Sequence, residues 1–148
     1  MKGTKRAKLR KNDQVVVIAS PAHRLASRRR VSLRDLHNET FFIYPPRQES
    51  LFVNQVLIPA GAIPSRIEEV RLTEAIVELV KANLGISALA RWAVKPHLQS
   101  GALVALPIPP RGLKRHWSAV MPKHLANTDY VSAFIDLLAQ KSPGQKTI

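Results

Sequence analysis

Residues 77–94, VELVKANLGISALARWAV, constrain the fold more than any other part of this chain. Apolar residues first recur at helical spacing, Gly85 interrupts them, and residues 86–89 then form an apolar stretch of strand length. A new helical pattern begins at Arg91. Upstream, residues 14–20 (QVVVIAS) are a β-branched run that reads as a buried strand. Residues 40–44 read as a second strand, stopped by Pro45-Pro46. Strand and helix alternate, and such alternation builds an α/β domain with at least partly parallel pairing.

Local signals fill in the remaining elements. Ser32 is placed to cap one helical turn over residues 31–36. A helix is expected over residues 49–60, with Leu51, Phe52, Gln55, Val56 and Ile58 on one face. A short strand follows over residues 67–70. Thr73 then stands as the N-cap of a helix whose inward face is Ala75, Ile76, Leu79, Val80 and Asn83. Gly85 is expected as its left-handed C-cap. Residues 91–98 form the next helix, and LVALPI and residues 116–121 two further strands. The final helix spans residues 128–140, capped by Thr128 or Asn127. Its apolar face is Tyr130, Val131, Phe134, Ile135 and Leu138.

Charge narrows the function classes. The chain carries a net charge of +13, and its first thirty residues hold ten Lys or Arg against one Asp. The basic excess is therefore largely an N-terminal arm plus the cluster Arg28, Arg29, Arg30. Lys5, Arg6, Lys8, Arg10 and Lys11 in that arm are candidates for non-specific contact with phosphate. With no cysteine, disulfides and thiolate metal sites are excluded. No apolar run reaches membrane-spanning length and no signal peptide is evident, so a cytoplasmic location is expected.

Motifs of catalysis are missing. The five histidines form no metal-ligand spacing, and no nucleophile elbow, phosphate loop or dinucleotide fingerprint occurs. No enzyme, no cofactor and no metal are expected. Polar residues at element ends carry more information, because ligands in α/β folds gather at the carboxyl ends of strands and at helix N-termini. Tyr44, Arg47 and Gln48 follow one strand, Arg71 and Thr73 stand at the next strand-to-helix junction, and Arg91 and Trp92 at the third. Arginines beside helix N-termini suit a carboxylate or an amino acid.

From QVVVIASPAHRLASRRRVSLRDL to the last helix, the chain resembles the effector-binding domain of LysR-type transcriptional regulators. ASPAHRLA is similar to the family's PxHPLA turn, with Arg24 where proline is usual. ANLGISALARWAV is similar to the GxGIALLPxWxV signature, and LQSGALVALP to the closing segment. YPPRQESLF, PAGAIPSRIEEV and ARWAV most resemble the methionine-biosynthesis branch, which responds to homocysteine.

The resemblance implies a periplasmic-binding-protein-like (type 2) α/β regulatory domain, with the second subdomain complete and the first only partial. Residues 1–13 would be an unstructured basic arm outside the family pattern. Residues 14–121 would be subdomain two with its crossing strands, 122–140 the C-terminal helix of subdomain one, and 141–148 a flexible tail. The chain would be N-terminally truncated, lacking a helix-turn-helix, so no sequence-specific DNA contact is expected of it. Tyr44, Arg47, Gln48, Arg71, Thr73 and Trp92 would line one wall of the cleft for a homocysteine-like effector. Expected protein partners are a second copy of the chain or a full-length regulator.

Overall fold

A computed structural model describes residues 3–108 and 113–140, with the side chains of Lys8 and of residues 10–12 outside that description. The expectation for the tail, residues 141–148, falls outside the described residues. The chain divides into two compact units, residues 14–113 and residues 1–13 with 114–148. The boundary expected from the sequence lies at residue 121, whereas in this division the residues from Lys114 onward group with the N-terminal segment.

In the larger unit the sheet strands are the second half of β1 (Thr4–Ala19), β2 (Thr40–Ile43), β3 (Arg66–Glu69), β4 (Ile86–Ala90) and β5 (Val104–Ala105), in spatial order β3-β2-β4-β1-β5. Two helices lie between strands in sequence, α1 (Thr73–Lys81) and α2 (Arg91–Gln99). β2 pairs in parallel with both β3 and β4, whereas β1 is antiparallel to β4 and β5.

Side chains alternate across this sheet and both faces are covered. Val15, Val17, Ala19, Phe41, Ile43 and Ile86 face a core completed by Leu25, Val31, Leu36, Phe52, Val53 and Leu57. Val16, Ile18 and Phe42 face the opposite core, closed by Ile76, Val77 and Val80 of α1, Val94 of α2 and Leu103. Burial on both sides explains why QVVVIAS reads as a continuous apolar run instead of an alternating one. The Phe41 and Phe52 rings stack 5.8 Å apart at 5°, fixing the helical segment around residue 52 onto β2.

Several local expectations need correction. Residues 49–60 are not one helix: a 3-10 turn spans Arg47–Glu49, and the following helical segment widens to π-helix over Val53–Leu57. Thr73 is the first helical residue of α1, and the N-cap position falls on Leu72, which lends no side-chain hydrogen bond. The left-handed residue after α1 is Asn83 (φ 59°). Asn83 N–H donates to the Val80 carbonyl and Leu84 N–H to that of Leu79, a Schellman closure. Gly85 serves another purpose, since a Cβ there would lie 2.4 Å from the Thr40 carbonyl oxygen. LVALPI contributes only Val104–Ala105 as strand. The Ser32 cap is present as expected, in a reciprocal capping box with Asp35 over the 3-10 turn Leu33–Leu36.

The smaller unit contains the first part of β1, β6 (Leu113–Pro122), a 3-10 turn at Lys123–Leu125 and α3 (Asp129–Gln140). β1 pairs with β6; Lys123 N–H donates to Gly3 O and Arg115 meets Asp13, so the strands run antiparallel. An unstructured arm over residues 1–13 is thus corrected, because β1 begins at Thr4. Half-buried Thr4, Ala7 and Leu9 lie among the basic residues, with Lys5 and Arg6 exposed. Their strand partner lies about a hundred residues away, beyond the reach of local patterning. The carboxylate of buried Asp13 accepts from Arg115 Nε (2.9 Å) and Trp117 Nε1 (2.8 Å), and the guanidinium lies over the Trp117 ring. Thr128 does not cap α3 through its hydroxyl, which donates to the Leu125 carbonyl.

Candidate effector site

β3, β2 and β4 run in parallel, so their carboxyl ends open on the same edge of the sheet. The register sets Ile43 opposite Glu69 and Phe42 opposite Ser87. The three junctions singled out in the sequence therefore line one rim. Tyr44 directly follows β2, Arg71 and Thr73 join β3 to α1, and Arg91 and Trp92 open α2 straight from β4.

Backbone contacts stiffen this rim. Val70 N–H donates to the Ile43 carbonyl (2.8 Å), continuing the β2–β3 pairing by one residue. The Pro45-Pro46 bond is cis, and Arg47 N–H donates to Glu69 Oε1 (2.8 Å), tying the loop after β2 to the end of β3. The Gln48 carbonyl accepts from Asn54 Nδ2 (2.6 Å). Ser87, under the rim, is fully buried and its hydroxyl donates to the Phe42 carbonyl, bracing β4 against β2.

The six expected site residues share this edge of one compact unit. Tyr44 is 58% exposed and Trp92 45%, while Arg47, Gln48 and Arg71 are exposed and Thr73 is half-buried. Among the described residues, no hydrogen bond or ion pair engages the side chains of Tyr44, Arg47, Gln48, Arg71, Thr73 or Trp92. Neither α1 nor α2 has a side-chain cap, so their first N–H groups also face the rim without an intramolecular acceptor from a cap. Positive helix ends beside three arginines favour an anionic group. Two contributors escaped the sequence reading, Glu69, which adds a carboxylate, and Leu72, 64% exposed between Arg71 and Thr73. Glu69 lies within the quoted PAGAIPSRIEEV segment, but its place at the rim depends on the pairing of β3 with β2, which no local spacing reveals.

Among the described residues, no group of three His, Asp or Glu could hold a metal, and no helix is long and apolar enough to cross a membrane.

A sheet of mixed direction whose parallel strands end on one rim defines an α/β domain with both faces covered. The family model for the LysR substrate binding domain matches residues 4–143, and the chain belongs to that family. The match starts ten residues earlier than the resemblance read from the sequence, in keeping with the early start of β1. The chain is similar to the transcriptional regulator MetR of Escherichia coli K12, 36% identical over 92 residues, spanning 62% of this chain and 29% of that protein. It is also similar to CbbR of Rhodospirillum rubrum, 34% identical over 124 residues, 82% of this chain and 41% of that one. Among solved structures, the regulatory domain of MetR from Neisseria meningitidis superposes with a TM-score of 0.80 at 27% identity. That superposition covers 95% of this chain and 64% of the neighbour's. The chain thus spans about 29% to 41% of the length of these curated relatives. Its fold is the periplasmic-binding-protein-like type 2 fold of LysR regulatory domains.

Proposed function

We propose that this chain is the effector-sensing part of a LysR-type transcriptional regulator, binding an amino-acid-like metabolite without covalent chemistry. The observation that carries this reading is the shared rim. Three parallel strands end together and present Tyr44, Arg47, Gln48, Arg71, Thr73 and Trp92, whose side chains have no partner among the described residues. Homocysteine fits the chemistry available. Its carboxylate suits Arg71 and the uncapped starts of α1 and α2, its ammonium suits Glu69, and its short thiol chain suits the exposed Trp92 face. Similarity to two MetR proteins supports the same ligand class.

The test is a thermal melt of the purified chain with and without homocysteine. A ligand at a hundred times its dissociation constant stabilises the native state by about 2.7 kcal/mol. An upward shift in Tm, lost in Arg71→Ala with Thr73→Val, is the expected result. A cooperative melt that homocysteine leaves unmoved would reject the ligand.

A second reading, pairing with a full-length regulator, is favoured by α3. Tyr130 is 70% exposed and Phe134 59%, and none of the helix's apolar residues is buried. Co-purification with a full-length regulator, abolished by Phe134→Lys, would support it. The third reading, phosphate contact by a free arm, is weakened because Lys5 and Arg6 project from a paired strand.

A further inference from the structure

The larger unit carries its own basic excess, and that excess is concentrated in one place. Residues 14–113 contain twelve Lys or Arg against seven Asp or Glu. Five of the twelve, Arg24, Arg28, Arg29, Arg30 and Arg34, stand in the loop between β1 and β2, against two acids there, Asp35 and Glu39. The remainder of the unit is close to neutral.

This loop is held rather than loose. Leu25, Val31 and Leu36 are fully buried in the core, and Val31 N–H donates to the Pro107 carbonyl. The buried His23 accepts at Nδ1 from Leu25 N–H and meets Glu39 at Nε2 (2.9 Å), and Arg24 pairs with the same carboxylate. Arg28 Nη1 pairs with Asp35 (3.1 Å), which is locked in the Ser32 capping box. Two carboxylates therefore answer two of the five guanidiniums. Arg29, Arg30 and Arg34 are exposed and, among the described residues, have no acceptor.

The position is distinct from the effector rim. β1 is antiparallel to β4, with Val15 beside Ala90 and Ile18 beside Ser87. The loop leaving Ala19 therefore lies toward the amino end of β4, at the edge of the sheet opposite Tyr44, Arg71 and Trp92.

We propose that Arg29, Arg30 and Arg34 form a contact surface for the phosphate backbone of duplex nucleic acid. Protein interfaces draw their energy from exposed apolar anchors at the centre. Here Leu25, Val31 and Leu36 all point into the core, leaving guanidiniums on a rigid platform. That composition matches a backbone contact, in which cations displace condensed counterions and no base is read. Guanidinium also fits a phosphate bidentately, where an ammonium supplies only a point charge.

The test is fluorescence anisotropy of the full chain with a labelled random-sequence 30-base-pair duplex between 50 and 200 mM NaCl. Three phosphate contacts contribute a log–log salt slope of about −2.7, equivalent to roughly a 40-fold loss of affinity across that range. The Arg29→Ala/Arg30→Ala/Arg34→Ala variant is expected to lose that share of the slope, with its thermal melt unchanged. The all-lysine variant at these positions should keep most of it. Lys5→Ala/Arg6→Ala, on the other unit, should leave the contribution of the loop in place. A triple alanine variant that retains the wild-type slope overturns the proposal, as does a wild-type chain that leaves the duplex unbound at 50 mM. Equal, arginine-dependent affinity for poly-glutamate would overturn the choice of nucleic acid as partner.

Discussion

A single methyl group at position 85 is expected to disturb the sheet. An added Cβ would stand 2.4 Å from the Thr40 carbonyl oxygen and 2.7 Å from the Phe42 ring, and the first contact is backbone that cannot swing aside. Thr40 and Phe42 belong to β2, which pairs with β4 one residue beyond Gly85. Gly85→Ala should cost about 1–3 kcal/mol as overpacking, read from the urea midpoint. Asn83→Val should cost about 1–2 kcal/mol for a different reason, a β-branched residue forced into left-handed backbone. The sequence marked Gly85 as special but assigned it the task that Asn83 performs. A helix end is visible in local spacing, whereas a carbonyl forty-five residues upstream is not.

At the scale of elements, the 3-10 turn Leu33–Leu36 offers a pH-dependent readout. Hydrogen bonds from the Ser32 backbone N–H and then its hydroxyl, with Arg28 nearby, hold the Asp35 carboxyl below its usual range. A carboxyl depressed in the folded state stabilises it above the ordinary aspartate pKa of about 3.9. That contribution falls away as pH drops through the lower folded value. The stability difference between wild type and Asp35→Asn should therefore be present at pH 6 and shrink toward pH 3, measured by urea unfolding at both. This turn was legible because Ser32 and Asp35 are three residues apart. The helix expected over residues 49–60 was not, because Phe52, Val53 and Leu57 must all reach one core and the backbone widens to a π-turn to place them. The effector rim was legible as three separate junctions. Their alignment depends on β2 pairing with both β3 and β4, which no local pattern encodes.

At the scale of the whole molecule, the two units bury their apolar residues very differently. The larger holds two cores, one on each side of its sheet. In the smaller, Tyr130, Phe134, Leu137 and Leu138 of α3 are exposed, as are Trp117 and Val120 of β6. The apolar stripe of α3 was readable from the sequence; its exposure was not, since that depends on what the rest of the chain supplies. Apolar patches of this kind drive association. Sedimentation velocity should show self-association of the chain that rises with concentration, and Phe134→Lys with Leu138→Lys should restore a monomer. A wild-type chain that stays monomeric across the range would mean the patch is too weakly apolar to act alone. The order of β1 among its neighbours also bears on synthesis. QVVVIAS is made first, but its partner β4 follows some seventy residues later, a wait of roughly 4–14 seconds at ribosomal speeds. Such a run is prone to aggregate while unpaired. Lys5 to Lys11 on one side and Arg24 to Arg30 on the other bracket it with positive charge. Flanking charge of this kind disfavours pairing between exposed apolar runs of neighbouring chains.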